Sequence, residues 1–171
     1  MKFALSILAV LGMALGGMHQ AVAQGEGAPA GVTAPQEMSV VAKALEEAGH
    51  YTAKKAKPNA KYYIFICSAS WCSPCRMLMP AIVEEYQKNI ANDENLDLIM
   101  LGMDRDVTAC KRYLEHYHTD MPGVYGGAKL NLKALPSVSY VPYAFILDAE
   151  GHLIASGHGQ MVLRFRDCVK L

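Results

Sequence analysis

Six consecutive residues, Tyr62-Tyr63-Ile64-Phe65-Ile66-Cys67, carry no charge and no polar alternation, and after Ser68-Ala69-Ser70 the chain reads Trp71-Cys72-Ser73-Pro74-Cys75. A continuous aromatic and β-branched run suits a strand buried on both faces, which puts it in a central sheet position with cover on either side. The apolar spacing then changes to that of a helix, with Met77, Leu78, Ala81, Ile82, Val83 and Tyr86 on one stripe. Two cysteines therefore sit where a buried strand hands over to a helix. Few architectures other than a layered α/β fold accommodate that junction.

The remaining pattern supports layers. Met38, Val41, Leu45 and Ala48 recur at three- and four-residue spacing and predict a helix over 36–50, with Gly49 near its end. Leu96 to Met103 reads as a second buried strand, and Asp106 is placed to cap a helix running to about His118. Thr119 to Leu135 is rich in Gly and reads as irregular, with a short helix near Lys129–Leu135. Tyr140–Leu147 and His152–Ser156 flank the turn Asp148-Ala149-Glu150-Gly151 as a β-hairpin, and Met161–Lys170 reads as a closing helix. Parallel strands with helical crossovers and an antiparallel edge give a central mixed β-sheet flanked by helices on both faces.

Residues 1–23 have the layout of a secretory signal peptide: Lys2, an apolar stretch from Phe3 to Met18, and small-residue positions at Ala21 and Ala23. The stretch is short for a membrane-spanning helix, which needs about 20 residues. Membrane contact is expected only if the leader is retained. Residues 24–36 are Gly-, Ala- and Pro-rich and read as a flexible linker, leaving 37–171 as one domain. Without the leader, 15 basic residues face 16 acidic ones, a balance that gives no reason to expect nucleic acid as a partner. Export, to the periplasm, is the expected location.

Disulfide exchange requires a thiolate that attacks and a second thiol that resolves the mixed disulfide. At a strand-to-helix junction the first cysteine sits exposed at the helix N-terminus, where unpaired N–H groups and the helix dipole favour its anion. The second lies within the first turn. Cys72 is thus expected as nucleophile and Cys75 as resolver. Pro74 suits a first turn because its missing N–H has no partner there anyway. Trp71 gives a substrate chain an apolar shoulder, and Arg76 adds a positive charge.

Trp71-Cys72-Ser73-Pro74-Cys75-Arg76, followed by Pro80, resembles the active-site segment of the thioredoxin superfamily. Val141-Pro142, then Phe145-Ile146-Leu147-Asp148 and Gly151, resembles the family's cis-proline strand and hairpin. Around the cysteines, and in Asp104-Arg105-Asp106, the wording is most similar to tryparedoxin- and nucleoredoxin-like proteins. The leader is similar to that of exported thioredoxins serving cytochrome c maturation or thiol repair. The resemblance implies the thioredoxin fold, with Pro142 cis against the disulfide and the backbone of Val141 offered to an extended substrate. Two departures stand out. Ile66 occupies the place of the family's buried acid, and Met100 lies near the place of its partner lysine. Proton transfer at Cys75 must therefore use water, the substrate or another group. The additional residues around Met121–Leu132 are expected to border the active site.

The expected function is thiol–disulfide exchange that reduces disulfides of exported proteins, with a protein electron donor and no bound cofactor. Two other readings use the same pair: an oxidant or isomerase that donates its disulfide, and a module that binds copper(I) or client proteins. No metal site is expected from the sequence, since a Cys-x-x-Cys pair supplies half of a zinc site and no second pair follows. Cys67, Cys110 and Cys168 read as core or bystander thiols, and His116, His118, His152 and His158 as packing or surface groups. Met77 and Met79 read as core, or as groove residues beside the motif.

Overall fold

A computed structural model describes residues 37–126 and 128–171. The leader over 1–23 and the linker over 24–36 lie outside the described residues. Helix α1 spans Val40–Ala48 and starts at Ser39, whose Oγ accepts the Ala42 N–H at 3.1 Å. The same hydroxyl lies 2.7 Å from the Tyr63 OH, which ties α1 to the first strand. Strand β1 is Tyr62–Ser68, α2 is Ser73–Glu85 and continues into a π-helical turn over Tyr86–Ile90, β2 is Leu96–Gly102, and α3 is Val107–His116. Asp106 caps α3 by accepting the Ala109 N–H at 2.9 Å.

Three further strands follow: β3 at Gly123–Tyr125, β4 at Tyr143–Asp148 and β5 at Leu153–His158. The five-stranded sheet has the order β3-β2-β1-β4-β5. β1 pairs parallel with β2 and antiparallel with β4, β2 is parallel to β3, and β4 is antiparallel to β5. β1 is central, and its side chains divide between two cores. Ile64 and Ile66 join Leu98, Met100 and Ile146 under α2 and α3, while Tyr63, Phe65 and Cys67 join Ile99 and Phe145 under α1. Helices thus cover both faces, and the unbroken apolar run is explained by a strand with no solvent side.

Three elements differ from the sequence expectation. β3 lies within the stretch read as irregular, because three residues are too few to show a period. It reaches the sheet because Gly123 has no side chain: a Cβ there would sit 2.5 Å from the Tyr51 ring. The short helix expected at Lys129–Leu135 does not form. The Leu132 N–H instead donates to the Leu130 carbonyl at 2.9 Å in a tight three-residue turn, and both leucines pack against the α1-side core. The closing segment is a 3₁₀ helix over Gly159–Asp167, broken at Arg164. Its buried residues Gly159, Val162 and Phe165 recur every third position, which is the 3₁₀ repeat and not the α repeat.

Asp97 is a carboxylate buried at the start of β2. Asp97 accepts the Lys57 N–H at 2.6 Å and the Leu98 N–H at 2.9 Å. The Lys57 ammonium donates to the carbonyls of Ile90, Asp93 and Leu96 at 2.7–2.9 Å, satisfying acceptors that the π-helical turn and the following loop leave open.

His50 follows α1 and bridges to Val124. Its Nε2 accepts the Ala56 N–H at 3.0 Å, so it is held as a neutral ring. Burial keeps its pKa below the usual histidine value, against the opposing charge of Glu46 and with the help of Lys55. The unfolded chain therefore takes up this proton first as pH falls through about 6.5, so stability is lost below that pH. Urea unfolding at pH 7.5 and 5.5 is expected to show a loss of at most about 1.4 kcal/mol per pH unit from this group. His50→Gln should flatten that slope; an unchanged slope would assign the titration to another group.

Candidate active site

Cys72 is the N-cap of α2, and its Sγ accepts the Cys75 N–H at 3.2 Å. Pro74 lies in the first turn, where it breaks no hydrogen bond. Cys72 and Cys75 are joined in a disulfide, with Cα atoms 5.2 Å apart. After reduction, the same N–H and the helix N-terminus would face the Cys72 sulfur and favour its thiolate.

The disulfide is more enclosed than the sequence suggests. Cys72 is 4 % exposed and Cys75 1 %, so the expectation of an exposed first cysteine is corrected. Ala69, Met103 and Val141 surround the pair. The Cys72 Sγ lies 3.6 Å from the Val141 carbonyl oxygen, and the Val141–Pro142 peptide is cis. Trp71, in contrast, is 66 % exposed. It lines a shallow depression with Met103, Tyr140 and Val141 beside the disulfide.

Supporting contacts hold the turn that leads into the pair. The Asp104 Oδ1 accepts the Ser70 N–H at 3.0 Å and its hydroxyl at 2.6 Å. The Arg76 guanidinium donates to the Ser70 carbonyl at 2.7 Å. Ser70 is thereby held at every polar group, two residues before the first cysteine. The Met103 N–H donates to the Ser68 carbonyl at 2.8 Å and brings Met103 against the pair. The Gly159 N–H donates to the Pro142 carbonyl at 3.0 Å, and a Cβ at Gly159 would meet the proline ring at 2.7 Å. Arg76 and Asp104 have sequence correlates, in the cysteine motif and the Asp-Arg-Asp run; nothing local marks Ser70 or Gly159.

Other expectations sort by position. Met121 is buried in the α2-side core, and Leu130 and Leu132 pack on the α1 side. The segment bordering the site is therefore Val138–Val141 rather than Met121–Leu132. Met79 is core, whereas Met77 is 74 % exposed. Ile66 and Met100 are both fully buried. Cys67, Cys110 and Cys168 are free thiols. Burial pushes the Cys67 thiol up to about 12 and raises Cys110 as well, so both stay protonated at neutral pH. His152 pairs with Asp148 across the hairpin turn, with Nδ1 at 2.9 Å from the carboxylate.

Comparison with known proteins places these features. A family profile described as Thioredoxin-like matches residues 59–153. Nucleoredoxin of Homo sapiens is 30% identical over 102 residues, covering 59% of this chain and 23% of that protein. The thiol-disulfide oxidoreductase ResA of Bacillus cereus is 28% identical over 86 residues, covering 50% of this chain and 47% of the relative. The chain thus spans under a quarter of the length of that nucleoredoxin. Among solved structures, tryparedoxin II of C. fasciculata superposes with a TM-score of 0.52 at 20% identity, over 73% of this chain and 91% of the other. At that identity the likeness establishes the fold.

Proposed function

The chain belongs to the thioredoxin-like family, and from that premise we propose that it is an exported thiol–disulfide oxidoreductase that reduces disulfides of other exported proteins. The observation that carries this reading is the Cys72–Cys75 disulfide at the N-terminus of α2, with the Cys72 sulfur beside the Val141 carbonyl. Membership of the family implies protein substrates and a redox partner in general terms; the direction of electron flow is our inference.

In this mechanism the Cys72 thiolate attacks one sulfur of a substrate disulfide. A Cys72–substrate disulfide forms and the other substrate sulfur leaves as thiolate. Cys75 then attacks the Cys72 sulfur, which restores the intramolecular disulfide and releases the second substrate thiol. Two electrons pass from the dithiol to the substrate, and a dithiol protein returns them. Ile66 and Met100 stand where the family resemblance places a buried acid and its partner lysine. The departing substrate thiolate, or water, therefore takes the Cys75 proton. Trp71 and the Val141 backbone hold the extended substrate segment next to the pair.

Export rests on the leader pattern at residues 1–23. The enzymatic reading is tested by insulin reduction with a dithiol donor. Catalytic turnover by the purified chain is expected. A protein that binds copper(I) stoichiometrically and leaves insulin disulfides intact would contradict the reading and favour a metal-binding role.

A further inference from the structure

Next to the active-site turn, α2 and α3 enclose a depression of about 320 Å³ whose rim is cationic. Ala109, Arg112, Tyr113 and His116 recur at three- and four-residue spacing and so share one face of α3. Ala109 is small enough to leave the hollow. Tyr113 is buried beneath it, with its hydroxyl 3.1 Å from the Ser68 Oγ. Arg76 closes the opposite side from the first turn of α2, and α3 is docked there by the Tyr117 hydroxyl, which donates to the Arg76 carbonyl at 3.2 Å.

Among the described residues, neither guanidinium of this hollow is engaged in an ion pair. No carboxylate lies within ion-pair distance of Arg76 or Arg112 among the described residues. Glu115, the acid on the same helix, lies 3.9 Å from Lys111 instead. Arg76 uses one N–H group on the Ser70 carbonyl, which orients its guanidinium and leaves other donors free. Ser70 lines this hollow and its neighbour Trp71 lines the apolar depression by Val141, so both recesses flank the turn that leads into Cys72.

We propose that the hollow between Arg76, Arg112 and His116 is a carboxylate subsite that selects protein substrates carrying a Glu or Asp close to the target disulfide. The proposal rests on the reductase reading and names its substrate class. Guanidinium groups bind carboxylates through paired N–H donors, and here that pairing would anchor a chain already lying along Trp71 and Val141. The occupant is a protein side chain because the hollow opens outward and flanks the same active-site turn as the recess that receives an extended segment.

The test uses two disulfide-bonded peptides that differ only by Glu or Gln beside one cysteine, reduced by the full-length protein. The Glu peptide is expected to have a kcat/KM about fivefold higher, as a partly exposed ion pair allows, and the preference should shrink with added salt. Arg112→Gln should bring the ratio close to one; as a ratio within one protein, it is insensitive to a partly misfolded fraction. Equal rates with the two peptides, or a preference unchanged by Arg112→Gln, would overturn the subsite while leaving the reductase reading in place. A preference for oxidised glutathione over its ester, with none between the peptides, would put a small molecule in the hollow and overturn the assignment to proteins. Failure to reduce either peptide or insulin is a separate result that removes the reductase reading and the subsite with it.

Discussion

Cys72→Ser is expected to abolish insulin reduction, whereas Cys75→Ser is expected to yield a protein that reacts once and stays bonded to its substrate. The two outcomes differ because the cysteines occupy different places. Cys72 caps α2, with its sulfur facing the Cys75 N–H and lying beside the Val141 carbonyl. Cys75 is enclosed within the first turn and reaches only its partner. A serine hydroxyl at neutral pH is no substitute for a thiolate, so Cys72→Ser should fall to the uncatalysed rate, a loss of about 10³-fold or more. Without the resolving thiol, the mixed disulfide at Cys72 persists and is seen by mass spectrometry, or on a non-reducing gel, as an adduct that dithiothreitol releases. Appreciable turnover by Cys72→Ser would mean that another thiol does the chemistry. Cys67 and Cys110 are poor candidates, being buried and held protonated.

Phe65→Ala removes the largest side chain at the middle of the central strand and should cost about 3–5 kcal/mol. Phe65 and Phe145 are register partners on β1 and β4, and their rings stack with centroids 4.6 Å apart and planes 9° apart. Both are buried under α1, so the truncation leaves a cavity that neighbouring strands cannot close without breaking register. Domains of this size are stable by about 5–15 kcal/mol in all. Urea unfolding should therefore show a midpoint lowered by roughly 2 M. A loss below about 1 kcal/mol would mean that the α1-side core repacks freely around the gap.

What the sequence makes legible follows from length and burial. β1 and β2 are seven residues each and buried on both faces, so each appears as an apolar run with no competing reading. The cysteine pair is legible because a helix start and a resolving thiol need that spacing. β3 has three residues and depends on Gly123 meeting the Tyr51 ring, a contact between segments over 70 positions apart. The Ser70–Asp104 and Pro142–Gly159 contacts are likewise long-range, and no local pattern encodes them. Its helix-terminal place alone predicts an exposed Cys72. The loop carrying Val141 covers it, and only the assembled fold brings that loop there.

The reduction potential of Cys72–Cys75, equilibrated against defined thiol/disulfide buffers, tests the central claim most directly. A disulfide reductase fed by a dithiol donor is expected at or below about −250 mV, towards the thioredoxin end of the known range. A value near or above about −150 mV would make the protein a disulfide donor to folding substrates and contradict the direction assigned here.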